Sequence, residues 1–190
     1  MAAVLTVCAA KASTQVVSQL MEECTIDDPE WYLNVFTLVP TPDEELLDEY
    51  CQPPTEDFAT AFEGWSDSQL RQWFHQRMSR LRGITVERGF LAVLDDKSAA
   101  QSTVVIHFRF AKETLDQYPH LMDARGDLDE HGHYWWKWRV RFRSAYKAFN
   151  ELKSCEPETV DRFMHPGLID PEGILDVDRV CDGQYDSRRR

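Results

Sequence analysis

A chain of 190 residues, 43% hydrophobic and 28% charged, falls in the size range of one globular domain and can bury a real core. Its net charge of −12 argues against a general nucleic-acid binder, whose affinity rests on basic side chains at phosphates. No apolar run approaches the ~20 residues that span a bilayer, and six Trp, ten Phe and six Tyr exclude wholesale disorder.

In chain order, Val4–Ala9 reads as a first strand. Ser13 or Thr14 offers a helix cap, and Val16, Val17, Leu20, Met21 and Cys24 recur on one face of an amphipathic helix. Asp27-Asp28-Pro29 makes a turn, and the aromatic and β-branched run Trp31–Val39 reads as a strand ended by Pro40 and Pro42. Asp43–Tyr50 suits a short acidic helix, within an irregular acidic insertion over 43–64. Ser66 and Gln69 have capping-box spacing ahead of Leu70, Trp73, Phe74, Arg77, Met78 and Leu81, a basic helix closed by Gly83. Phe90–Leu94 and Thr103–Phe110 read as strands joined by a turn at Asp95–Ala100. A polar excursion follows over 111–133, then a Trp-rich strand. Ser144–Leu152 is helical, with Ala145, Ala148, Phe149 and Leu152 on one side. From Glu156 on, Pro and Asp are frequent. The expectation is one α+β domain over 1–155, a mixed sheet with helices mainly on one face, and an acidic C-terminal extension over 156–190 with a mobile end.

FLAVLDDKSAAQSTVVI (90–106) and WRVRFRSAYKAFNEL (138–152) resemble a family of small filamentous-fungal and actinobacterial proteins of unknown function. Its members carry a strand ending in Asp, a short loop, a second apolar strand, and a V-R-V-x-F strand feeding a helix. The resemblance covers about half the chain and departs from it at 43–64 and in the C-terminal tail. It implies an intracellular α+β domain whose first strand is Val4–Ala9, and it carries no catalytic residue with it.

Charge is segregated. Residues 1–70 hold fourteen Asp/Glu against Lys11 alone, whereas residues 71–153 hold fifteen Lys/Arg against ten Asp/Glu. The most concentrated feature is HGHYWWKWRVRF, residues 131–142. Strand alternation points Trp136, Trp138, Val140 and Phe142 one way and Trp135, Lys137, Arg139 and Arg141 the other. If strands 103–110 and 134–142 are neighbours, His107 and Arg109 join those cations beside Trp135. Arg with aromatic groups suits a carboxylate, a phosphate or an acidic loop of a protein partner. The competing reading pairs the row internally with acidic residues of 1–70, with Trp135 stacked on Arg or Lys.

Asp127, Asp129, His131 and His133 are the best candidate metal ligands. Alternating carboxylates followed by Gly132 suggest an EF-hand start, but the twelfth position is Trp138 where a bidentate Glu is required, so a solvated acidic turn is the stronger reading. Nucleophile-elbow, zincin, P-loop and dinucleotide fingerprints are absent, and no cofactor is expected. Asp95-Asp96 at a strand end is a carboxylate pair or a turn, and His75 lies on the polar side of its helix. The scattered cysteines Cys8, Cys24, Cys51, Cys155 and Cys181 suit a reduced, cytoplasmic protein starting at Met1 or Ala2. AAVLTVCAA also resembles a signal peptide, and a secreted effector with two disulfides is the alternative. The function expected is non-catalytic binding of an acidic protein or small anionic ligand. The runner-up is a small accessory enzyme of specialised metabolism with its pocket between the sheet and the Trp73/Phe74 helix.

Overall fold

Branched and small apolar residues run together at the start of the chain, and β1 forms there over Ala3–Cys8, buried on both faces. The computed structural model describes residues 3–11, 13–24, 35–43, 52–56, 58–80, 86–118, 126–154 and 157–183. The chain continues through α1 (Thr14–Glu23), β2 (Phe36–Leu38), α2 (Asp67–Arg80) and β3 (Val86–Leu94). These are followed by α3 (Ser98–Gln101), β4 (Thr103–Ala111), α4 (Lys112–Leu115), β5 (Asp127–Leu128), β6 (His133–Arg141), α5 (Phe142–Lys153), α6 (Pro157–Phe163) and α7 (Val177–Cys181).

The described strands form one mixed sheet in the order β2-β1-β3-β4-β6-β5. β1 is parallel to both β2 and β3, while β4, β6 and β5 add on antiparallel. The parallel pairs require crossovers, and α1 and α2 supply them on opposite faces. On one face α1, α5, α6 and α7 cover the larger core, centred on Phe90, Ile106, Phe108, Trp138 and Phe149. On the other, α2 lays Leu70, Trp73, Phe74 and Met78 over Leu5, Val7, Leu91, Val93 and Trp135. The expected α+β class, with helices mainly on one face, is the observed one.

Local chemistry sets the element ends. The Ser66–Gln69 capping box forms as expected: Ser66 N–H donates to Gln69 Oε1 at 2.9 Å, and Gln69 N–H to Ser66 Oγ at 3.4 Å. Ser13 sits at the N-cap of α1 without a side-chain cap bond. Gly126 lies against the backbone of β6, where a Cβ would meet the Trp135 carbonyl oxygen at 2.0 Å; only glycine allows β5 to pair there.

Two expectations change, and others fall wholly or partly outside the described residues. The strand expected over 31–39 is described only as β2, residues 31–34 lying outside the described residues. The acidic helix after Asp43, the stop at Gly83, Cys51, Cys155 and the final residues also lie outside them. Phe142 opens α5 rather than ending a strand, and stays fully buried. The segment expected as an extension after residue 155 folds into the main core, where Val160, Phe163, Leu168, Leu175, Val177 and Val180 are buried. Cys8, Cys24 and Cys181 are free thiols. No helix among the described residues is long and apolar enough to cross a membrane.

Candidate functional site

β4 and β6 are antiparallel neighbours, with His107 opposite Lys137, Arg109 opposite Trp135 and Val105 opposite Arg139. The cations expected to share a face therefore do so. They do not make one open platform: α2 lies over Trp135 and Arg109, while Lys137 and Arg141 remain exposed. Trp135 is 1% exposed. Its ring meets Phe74 edge-on at 5.9 Å, Arg71 and Arg109 stack over it at 5.5 and 5.7 Å, and its Nε1 donates to Asp129 Oδ2 at 2.7 Å. Trp135, expected as a ligand-facing ring, is instead a core anchor. Arg109 is held between the sheet and α2, its Nε donating to the Arg88 carbonyl at 2.7 Å and its guanidinium 5.0 Å from the Phe74 ring centre. Arg141 is exposed at the end of β6 and forms no ion pair with a described residue.

The remaining three, His107, Lys137 and Arg139, line a cleft of about 410 Å³, a size usual for small-molecule sites. Ala9 and Ala10, just past β1, form one wall with Asp95 and Asp96, just past β3; Trp65 and Asp67 at the start of α2 and Gly173 complete the mouth. The cleft opens at the carboxyl ends of the parallel neighbours β1 and β3, where β1 leads into α1 and β3 into the turn toward β4.

Two ion pairs cross the cleft. Arg139 makes a two-point contact with Asp95 and also donates to Thr103 Oγ1 at 3.0 Å. Asp95 Oδ1 in turn accepts from Lys97 N–H and Ser98 Oγ, both at 3.1 Å, so this carboxylate closes a turn as well as pairing a cation. Burial alone would raise the Asp95 pKa; the hydrogen bond and charge of Arg139 outweigh it and hold the carboxyl below its usual value. Lys137 Nζ meets Asp67 Oδ2 at 2.5 Å, with both side chains roughly half in water at 54% and 40% exposed. Asp67 is likewise held low: burial opposes ionisation, but the hydrogen bond and charge of Lys137 lead the groups that outweigh it.

Between these pairs sits His107, 1% exposed, with neither ring nitrogen hydrogen-bonded. Asp67 Oδ1 approaches Nε2 to 3.6 Å, beyond hydrogen-bonding distance. Burial pushes the imidazole pKa down to about 4; attraction to Asp67 opposes this, and Arg71 and Lys137 reinforce it. The imidazole is therefore neutral at pH 7, and its contact with Asp67 is not an ion pair there.

The candidate metal ligands lie beside the middle of α2, on β5, in the β5–β6 turn and at the start of β6. Asp129 accepts from the His131 and His133 N–H groups at 2.9 and 2.8 Å as well as from Trp135, so it organises the turn. Asp127 pairs with Arg71 at 3.1 Å. His131 stacks on His75 of α2, rings 3.7 Å apart and 8° from parallel, and His133 lies 5.9 Å from His75. Among the described residues no three His, Cys, Asp or Glu side chains are arranged to hold a metal ion. Among the described cysteines, burial pushes the Cys8 and Cys24 thiols up to about 12 and the Cys181 thiol up to about 11, away from the reactive thiolate form.

Asp67, Trp65 and Gly173 were not candidates from the sequence. Asp67 lies between the capping-box residues Ser66 and Gln69. Gly173 comes from the segment expected as an extension, which reaches β6 through a bridge between Arg139 and Ile174. Comparison of the chain with family models, curated proteins and solved structures returned no match.

Proposed function

We propose that this chain binds a small anionic molecule in the cleft at the carboxyl ends of β1 and β3, with His107, Lys137 and Arg139 as its contacts. The observation that carries this reading is His107. A neutral imidazole removed from water, with both nitrogens unsatisfied, costs folding free energy, and such a cost persists where a ligand uses the group. An acidic protein partner is the weaker occupant, because α2 covers Trp135 and Arg109 and leaves a recess in place of a flat basic face. Asp67 beside the neutral His107 also favours a second reading, acid–base chemistry on the bound ligand, for which a bell-shaped pH profile is the signature.

The test is a thermal-shift and calorimetric screen of the full chain against small carboxylates, phosphates and sulfates. A ligand at 100 times its Kd stabilises by about 2.7 kcal/mol. His107→Leu should abolish that shift while melting no lower than wild type, because it replaces an unsatisfied polar group with an apolar one. Silence across the whole panel, or a shift retained in His107→Leu and Lys137→Met, would sink the reading.

A further inference from the structure

We infer that Asp67 is a built-in occupant of the anion subsite, and that the ligand is a small monocarboxylate which enters by displacing Asp67 from Lys137. This rests on the cleft being the binding site. The two ion pairs across the cleft differ in how readily they open. Arg139 and Asp95 are 13% and 27% exposed, the contact is two-pointed, and Asp95 is committed to the turn through Lys97 and Ser98. That pair is a fixture. Lys137 and Asp67 make a single contact at 2.5 Å with both side chains open to solvent, the kind of pair that contributes little stability and exchanges with solution ions.

The Asp67 carboxylate marks where a ligand's carboxylate would sit. It touches the Lys137 ammonium, stands 3.6 Å from His107 Nε2, and belongs to the first residue of the 14-residue helix α2, whose N-terminal end favours negative charge. An untethered carboxylate can close the gap that Asp67 leaves and accept a hydrogen bond from His107, while Asp67 swings into water. Charge count sets the class. Two cations line the cleft against Asp67, Asp95 and Asp96. Asp96 is exposed and pairs with no described residue, so its charge repels a second negative group. One carboxylate fits this balance; a dicarboxylate or a phosphate dianion does not.

A tethered competitor lowers apparent affinity by the fraction of molecules whose site it fills. Calorimetric titration of the full chain with acetate, lactate, benzoate, succinate and inorganic phosphate tests this. At least one monocarboxylate should bind Asp67→Asn roughly tenfold more tightly than wild type, in proportion to the occupancy removed, and Lys137→Met should not bind it. Asp67→Ser, which retains a residue suited to a helix start, is the second variant should Asn disturb the fold. Succinate and phosphate should bind more weakly than the best monocarboxylate. Equal or weaker monocarboxylate binding in both folded Asp67 variants, with Lys137→Met still abolishing binding, would overturn the competitor role and leave the site standing. Tighter phosphate than monocarboxylate binding would overturn the ligand class. No binding by wild type or either Asp67 variant would overturn both.

Discussion

His107 is the residue at which stability and function are set against each other. Its unfolded-state pKa is near 6.5 and its folded-state pKa is lowered to about 4, so below pH 6.5 the unfolded chain binds the extra proton. Stability contributed by the neutral imidazole is therefore complete above about pH 6.5 and is lost as pH falls toward 4, by on the order of 3 kcal/mol across that window. His107→Leu has no proton to bind, so its melting temperature should be flatter than wild type between pH 6.5 and 4. Asp67 and Asp95, whose folded pKa values are lowered, contribute stability that is lost only below their ordinary carboxylate range near 3.8, so the two effects separate on the pH axis. A wild-type curve already flat over that interval would show that His107 is not held neutral by burial. His107 was visible in the sequence as part of a polar/apolar alternation; its lack of partners was not, because that depends on α2 closing over it.

Strand β6 shows which part of the pattern was legible at the scale of an element. Period-two alternation assigns Trp136, Trp138 and Val140 to the larger core and Trp135 to the other face, and all four are buried. Alternation says which face a side chain joins; it does not say what covers that face. Arg139 and Arg141 look equivalent in sequence, two residues apart on one face, yet Arg139 is locked to Asp95 and Thr103 while Arg141 stands in water. Charge reversal separates them. Arg139→Glu places a carboxylate against Asp95 in a half-buried setting and should cost on the order of 3 kcal/mol, whereas Arg141→Glu should change stability by less than about 0.5 kcal/mol. Urea unfolding of the two single variants measures this directly. Equal losses would mean that the Asp95 contact does not distinguish the two positions. The cations were read correctly as sharing a face; that Trp135 and Arg109 lie under α2 was not legible, since the crossover that carries α2 there follows from the parallel pairing of β1 with β3 and not from any property of β6.

For the whole molecule, the expected division at residue 155 failed for a reason of scale. Helix periodicity needs a window of about 11 residues to register, and α6 and α7 have only 7 and 5. Between them lie a short 3₁₀ turn at Pro166–Leu168 and the bridge that pins Ile174 to Arg139. Scattered apolar residues among Pro and Asp therefore looked like an extension. The same residues close the larger core: Phe163 is fully buried and meets Trp138 edge-on at 5.3 Å, and Leu175 N–H donates to the Arg139 carbonyl at 2.8 Å, so the segment also braces the strand that carries the cleft. If it is integral, Phe163→Ala should cost about 3–5 kcal/mol, as truncation of a buried aromatic does, and lower the melting temperature by roughly 10 °C for a chain of this size. A detachable tail would predict an unchanged global melting temperature, with only the tail's own amide protons exchanging faster. Because Gly173 lines the cleft and its neighbour Ile174 bridges to Arg139, the same variant at a temperature where it is still folded should also bind the cleft ligand less tightly. Loss of stability with full binding would place the segment in the core but not in the site, and unchanged stability would restore the division at residue 155.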